Sequence, residues 1–179
     1  MEKEEQINAK KFREGNISIV LDSYDDLFSD FDPRPYRIRA LSDDFLLECK
    51  KATVDKKKKI ELRLLVPKKK RIYDDEAKIK KRLRRYFQEH FREKESEIKK
   101  IKRSGFFWFF CGAVLMSMEA FLMGHEKFFL RFLATVLIPA GWFFFWEGLG
   151  KIFIESKEKM PDFDFHKKML NAEIYFENY

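Results

Sequence analysis

Two uninterrupted apolar stretches, Gly105–Met123 and Phe128–Trp146, dominate the hydropathy pattern of a chain that is otherwise densely polar. Each is 19 residues long and carries a single ionisable side chain, Glu119 in the first and Arg131 in the second. At about 1.5 Å of rise per residue, either helix is long enough to cross the roughly 30 Å of bilayer hydrocarbon. Only Gly124–Lys127 separates them, so the pattern predicts a tight helical hairpin. The runs Phe106-Phe107-Trp108-Phe109-Phe110 and Trp142-Phe143-Phe144-Phe145-Trp146 make both helices apolar all round. Such helices need lipid or a large protein core. A chain of 179 residues, 37% of them charged, offers too little material to wrap two of them. The expected class is an integral membrane protein with two spans.

Outside the hairpin the periodicities are short. Met1–Glu14 is polar, with Ile7 and Phe12 as its main apolar residues. Ile17–Leu21 is rich in β-branched residues and predicts a strand. An acidic, aromatic loop, Asp22–Tyr36, follows and ends in Asp32-Pro33-Arg34-Pro35, which no helix tolerates. Ser42 is placed as a helix N-cap, with Asp43 and Asp44 in the first turn and Phe45, Leu46, Cys49 and Ala52 as the apolar face. Ile60–Val66 alternates and stops at Pro67, predicting a second strand between the basic turns Lys56–Lys59 and Lys68–Arg71. Asp74 or Asp75 is expected to cap a long helix through Ile79, Leu83, Phe87, Phe91, Ile98 and Ile101. Nothing breaks that helix before Gly105. After the second span, Lys151–Lys159 reads as a polar helical exit ended by Pro161. A short helix at Phe163–Leu170 and a third strand at Ala172–Tyr179 complete the chain. The expected fold is an α+β membrane protein of order β-α-β-α-TM-TM-α-β. Residues 1–104 form a cytosolic basic α/β domain, 105–148 the transmembrane hairpin, and 149–179 a cytosolic helix and strand that complete the sheet. Strands one and two, joined by a helix, should pair in parallel.

Charge refines this picture. The net +7 hides a partition of −5 over residues 1–49, +14 over 50–103 and −2 over 104–179. Lys99, Lys100, Lys102 and Arg103 precede the first span and Lys151, Lys157 and Lys159 follow the second, against Lys127 alone in the connecting loop. By the positive-inside rule both chain ends face the cytoplasm of an inner (plasma) membrane, with Trp108, Trp142 and Trp146 in the cytoplasmic half. The first hundred residues contain no apolar run long enough for a signal peptide. Cys49 and Cys111 lack metal-ligand spacing and fit a reducing compartment. The +14 segment suits anionic lipid or a polyanion such as nucleic acid.

Three constellations are candidates for chemistry. The first is the loop carrying Asp22, Asp25, Asp26, Asp30 and Asp32, whose clustered carboxylates suit Mg²⁺ or Ca²⁺ but match no EF-hand. Turn capping and pairing with Arg34, Arg37, Arg39 or the basic segment of a neighbouring subunit is the preferred reading, so no metal site is assigned. The second is a polyanion-binding set, Lys68, Lys69, Lys70, Arg71, Lys81, Arg82, Arg84 and Arg85, with Tyr73, Tyr86 and Phe87 interleaved for base stacking. The third lies in the spans. Glu119 and Arg131 stand at similar depth and suit an interhelical pair, or Glu119 a cation pathway in an oligomer, and Glu147 stands at the inner face. Gly112, Ala113 and Ser117 suggest a small-residue packing face, and Pro139 with Gly141 a bend. His90, His125 and His166 read as isolated. No nucleophile, Gly-rich phosphate loop or metal motif supports an enzyme, and no cofactor is implied.

The span layout of Gly105–Trp146 and the basic stretch Lys56–Arg103 resemble the small two-span membrane effectors of bacterial anti-phage defence, among them the channel subunit of the Hailong system. The resemblance implies an oligomeric ion channel controlled by single-stranded DNA oligomers made by a partner nucleotidyltransferase. The residues themselves lead to an oligomeric membrane protein, a ligand-gated channel or membrane-perturbing effector whose basic domain binds a nucleotide or oligonucleotide. The alternative is a membrane anchor or scaffold whose basic segment binds anionic lipid or a cytosolic partner.

Overall fold

A computed structural model describes residues 16–54, 56, 60–122, 124 and 126–179. The polar segment Met1–Glu14, most of the Lys56–Lys59 turn and His125 lie outside the described residues. Helix predominates, with one three-stranded sheet. In chain order the main elements are β1 (Asn16–Val20), α1 (Asp43–Thr53), β2 (Glu61–Val66), α2 (Tyr73–Leu122), α3 (Phe128–Gly150), α4 (Met160–Leu170) and β3 (Glu173–Asn178). The chain divides into two compact units, Met1–Phe91 with Asp164–Tyr179, and Arg92–Phe163.

The first unit is built on a parallel sheet of order β1-β2-β3. Ile17 pairs with Leu62 and Leu62 in turn with Ile174. The alternation of β2 buries Leu62, Leu64 and Val66 completely. Against that face pack Phe45 and Cys49 of α1, Ile79, Leu83 and Phe87 of α2, and Phe165 and Met169 of α4. The opposite face carries Arg63, which forms ion pairs with Glu61 at 2.8 Å and Glu177 at 3.4 Å. The hairpin therefore interrupts the crossover between β2 and β3, two strands that are hydrogen-bonded neighbours. Ser42 stands at the N-cap of α1, but its side chain makes no capping bond. The α2 helix begins at Tyr73, so Asp74 and Asp75, expected as its cap, fall inside its first turn, and Pro161 opens α4 rather than ending the exit helix. Proline is at home in a first helical turn because its missing N–H has no partner to lose there.

The second unit is the hairpin, and its seam is made of glycine. A Cβ on Gly112 would lie 2.4 Å from the Phe145 backbone nitrogen, and one on Gly148 2.4 Å from that of Phe109. Gly105 meets the Gly148 carbonyl and Gly141 the Met116 side chain at similarly short range. The helices thus touch backbone to backbone, with Trp108 on Phe144 and Phe109 on Phe145 beside the seam. Ala113 and Ser117, expected in the packing face, instead border an open apolar groove together with Val114, Met118 and Phe121. The α3 helix runs unbroken through Pro139, and Gly141 serves close approach. A π-helical turn, Lys151–Glu155, follows it. The unit reaches beyond the apolar stretches because polar turns continue the pairing: Lys159 binds Glu97 at 2.9 Å, and Ile98 and Ser156 are buried.

Candidate functional site

All three strands point the same way, so the segments that follow them gather at one edge of the sheet. In parallel α/β sheets that carboxyl edge is where ligands bind. Here it holds a buried polar network. Glu76, in the first turns of α2, is only 5% exposed. Its carboxylate accepts from Arg71 Nε at 2.7 Å and Nη2 at 2.9 Å, and from the Tyr24 hydroxyl at 2.9 Å. The Tyr24 oxygen accepts from the Ile72 backbone N–H at 3.0 Å, and Arg71 Nη1 donates to Asn178 Oδ1 at 2.8 Å. One network thus joins the segments after β1 and β2, the end of β3 and the start of α2. Burial alone would raise the Glu76 pKa, but the donated hydrogen bonds of Arg71 and Tyr24 outweigh it and hold the carboxyl below its ordinary value.

The acidic loop is folded by its own arginines. Phe28 bridges Leu41, closing residues 29–40 into a compact excursion. Asp32 accepts from Arg34 Nε and Nη2, both at 2.8 Å, and from the Ala40 backbone N–H at 2.6 Å. The Arg34 hydrogen bonds, then that of Ala40, keep the Asp32 carboxyl far below the usual carboxylate range. Asp25 pairs with Arg39, whose guanidinium also donates to the Ser29 carbonyl. Asp26 accepts from the Asp22 and Ser23 N–H groups. These carboxylates serve as caps and clamps, and among the described residues no three His, Cys, Asp or Glu side chains converge as a metal site would require. Beside the loop lies a cavity of about 580 Å³, lined by Arg34, Arg37, Arg39 and Lys78 with Asp25 and Asp75 and by Pro35 and Tyr36.

The predicted polyanion set divides. Lys68, Lys69 and Lys70 form an exposed 3₁₀ turn, from which Lys70 donates to the Asp22 carbonyl at 2.9 Å. Lys81, Arg84 and Arg85 are exposed on the side of α2 opposite Ile79, Leu83 and Phe87, with Arg85 paired to Glu89. Arg71 is committed to Glu76, and Arg82 donates to the Arg39 carbonyl at 2.9 Å while covering the Tyr86 ring. Of the proposed stacking aromatics, Phe87 is fully buried core and Tyr86 is covered by His90 at 4.0 Å, which leaves Tyr73 exposed. His90 and His166 are not isolated: their rings stack at 5.6 Å with an interplanar angle of 12°. Burial pushes the Cys49 thiol up to about 12, which makes it a packing residue.

Within the hairpin, Glu119 and Arg131 do not form an ion pair among the described residues: Glu119 is half-buried and Arg131 exposed. Glu147 pairs along its own helix with Lys151 at 3.2 Å. Glu119 follows Gly112 by the seven-residue step that separates Gly112 from Gly105. On α3, Gly148, Gly141 and the buried Ala134 repeat the same step. That spacing was legible in the sequence, whereas the Tyr24–Glu76–Arg71–Asn178 network was not, since its bonded partners are up to 107 positions apart. No family model, curated protein or solved structure matches this chain.

Proposed function

We propose that the apolar hairpin spans a lipid bilayer, with the polypeptide before and after it on the cytosolic side. Several such hairpins assemble into an ion-conducting oligomer controlled by a polyanion bound to the α/β unit. One observation carries the membrane reading. The glycines face each other, while Phe107, Phe110, Phe132, Phe143 and Trp146 are each more than half exposed, and only 11% of the apolar window of either helix is buried. Exposed apolar surface of that extent requires lipid or a partner. A two-span subunit cannot enclose a pathway alone, so conduction needs several copies. Support for control by a ligand comes from α2, one helix from the Glu76 network to Leu122. A ligand that prefers one placement of that helix shifts the equilibrium of the hairpin. Anti-phage defence, with a nucleotidyltransferase as partner, is the biological setting this architecture resembles.

The expressed protein should stay in the membrane pellet through alkaline carbonate extraction; release into the supernatant would overturn the proposal. In liposomes, Glu119→Gln should reduce polyanion-dependent cation flux, and a wild-type protein that inserts but passes no ions is an anchor. A separate expectation concerns the exposed cations. With a single-stranded oligonucleotide as probe, the triple change of Lys81, Arg84 and Arg85 to Gln should weaken binding. It should also flatten the slope of log K against log salt by about 2, at roughly 0.7 per lost phosphate contact. Arg82→Gln should leave the slope in place, because its guanidinium is engaged within the fold.

A further inference from the structure

The 29–40 excursion has a construction that the acidic-loop description does not account for. Its ends are pinned by the Phe28–Leu41 bridge and by the Ser29 N–H donating to the Ala40 carbonyl at 3.0 Å. Pro33 and Pro35 stiffen it, and Tyr36 stacks on Phe28 at 5.1 Å. Asp32 clamps residues 34 and 40 together. Compact loops closed this way hold their side chains in place with little left to order. What this one holds is a row of arginines along a cavity at the carboxyl edge of the sheet.

The cavity wall has four cations and two carboxylates. Asp25 is taken by Arg39, and Lys78 is held by both Asp74 and Asp75. Arg34 is held by Asp32. Arg37 is exposed, and among the described residues its guanidinium has no hydrogen bond or ion pair. Among the described residues, Arg37 is therefore the one cation of this wall that no carboxylate holds. The volume of about 580 Å³ falls within the roughly 300–1,000 Å³ of small-molecule sites. Guanidinium groups recognise phosphate through paired N–H donors, more directionally than lysine can.

We infer that this cavity binds a phosphate ester of nucleotide size, with Arg37 as the anion contact and the carboxylate-held Arg34 and Lys78 lining the wall beside it. The site differs from the exposed face of Lys81, Arg84 and Arg85, and it stands whether or not the hairpin conducts ions. A compact ligand here would touch the loop after β1 and the first turns of α2 together, since Lys78 belongs to that helix.

The test is calorimetric titration of the full chain in detergent, with ATP and inorganic pyrophosphate as separate probes at moderate salt. Both should bind saturably and compete. Pyrophosphate as tight as ATP assigns recognition to phosphate alone, and tighter ATP adds the nucleoside. Arg37→Gln should weaken both by about tenfold or more, in line with a lost hydrogen bond to a charged group. Arg37→Lys should retain part of the affinity, and because Arg37 is exposed both variants should keep the wild-type melting profile. Absence of binding by both probes overturns the inference. So does equal affinity in wild type and Arg37→Gln. A loss just as large on changing Lys81, Arg84 and Arg85 to Gln also overturns it, because binding would then be diffuse charge attraction.

Discussion

Alanine at Gly112 or Gly148 is expected to force the two hairpin helices apart, and leucine at either position to abolish the paired hairpin. The reason is the identity of the opposing atoms. A Cβ at Gly112 would meet the Phe145 nitrogen at 2.4 Å and the Gly141 carbonyl at 2.8 Å; one at Gly148 would meet the Phe109 nitrogen at 2.4 Å and the Gly105 carbonyl at 2.6 Å. A side-chain neighbour could rotate away, but these are backbone atoms of a continuous helix. Relief requires translation of one helix, which also pulls Trp108 from Phe144 and Phe109 from Phe145. Inserting a methyl into a packed core typically costs about 1–3 kcal/mol, and loss of the adjoining aromatic contacts adds to it. In lipid no hydrophobic force restores the pair, because the exposed faces are as content with acyl chains as with each other. Gly150 supplies the control, with nothing within 4 Å of its would-be Cβ. Alanine there should be neutral or stabilising, by up to about 1 kcal/mol from reduced backbone entropy. Thermal unfolding in detergent followed by tryptophan fluorescence reads all three. If the Gly112→Ala and Gly148→Ala proteins melt with the wild type, the helices do not cross at these glycines.

The same residues show what local pattern can and cannot reveal. β1, β2 and β3 lie within a residue or so of the runs that predict them, because alternation in Ile60–Val66 and Ala172–Tyr179 is a local property. The two apolar helices are legible for the same reason. The contents of the sites are not. Arg71 and Arg82 look, in sequence, like their neighbours Lys70 and Arg84, yet one is sealed against Glu76 and the other reaches the Arg39 carbonyl. Which cation faces inward depends on what the rest of the chain places opposite, here segments 43 to 107 positions away. The pairing of Glu119 with Arg131 failed because equal depth along two helices says nothing of rotation about their axes. Stacking of His90 on His166 was equally invisible, since it depends on α4 returning to α2 after the hairpin excursion. The glycine seam is different. Gly105, Gly112, Gly141 and Gly148 repeat at seven residues in both helices, and attention to spacing finds it where attention to small-residue clusters selects Ala113 and Ser117 instead.

Removing Arg71 should be among the most damaging single changes in the α/β unit. Arg71→Met leaves the Glu76 carboxylate buried without its cation, and breaking a buried pair on one side costs about 3–5 kcal/mol. The double change Arg71→Met with Glu76→Leu should recover much of that loss, since the penalty lies in the orphaned charge and not in the missing attraction. The network also sets a pH dependence whose sign follows from its direction. Glu76 has a depressed pKa in the folded protein, so as pH falls the unfolded chain takes up its proton first. The stabilisation is therefore complete above the unfolded-state value of about 4.3 and is lost as pH drops through the lower, folded-state value. Chemical denaturation of the full chain in detergent should give a flat contribution near neutral pH and a decline once pH falls to about 4.3 and below. In Glu76→Gln that part of the acid decline should vanish, while Asp32, clamped by Arg34, still contributes its own at lower pH. In Arg71→Met burial is no longer outweighed, so the Glu76 pKa should rise, and taking up its proton as pH falls should then favour the folded state: the Glu76 part of the acid decline should vanish or change sign. An Arg71→Met protein of wild-type stability, or an acid profile unchanged in Glu76→Gln, would show that the first turn of α2 is held to the sheet by apolar packing alone. The helix leading into the hairpin would then have no polar anchor through which a ligand at the carboxyl edge could act.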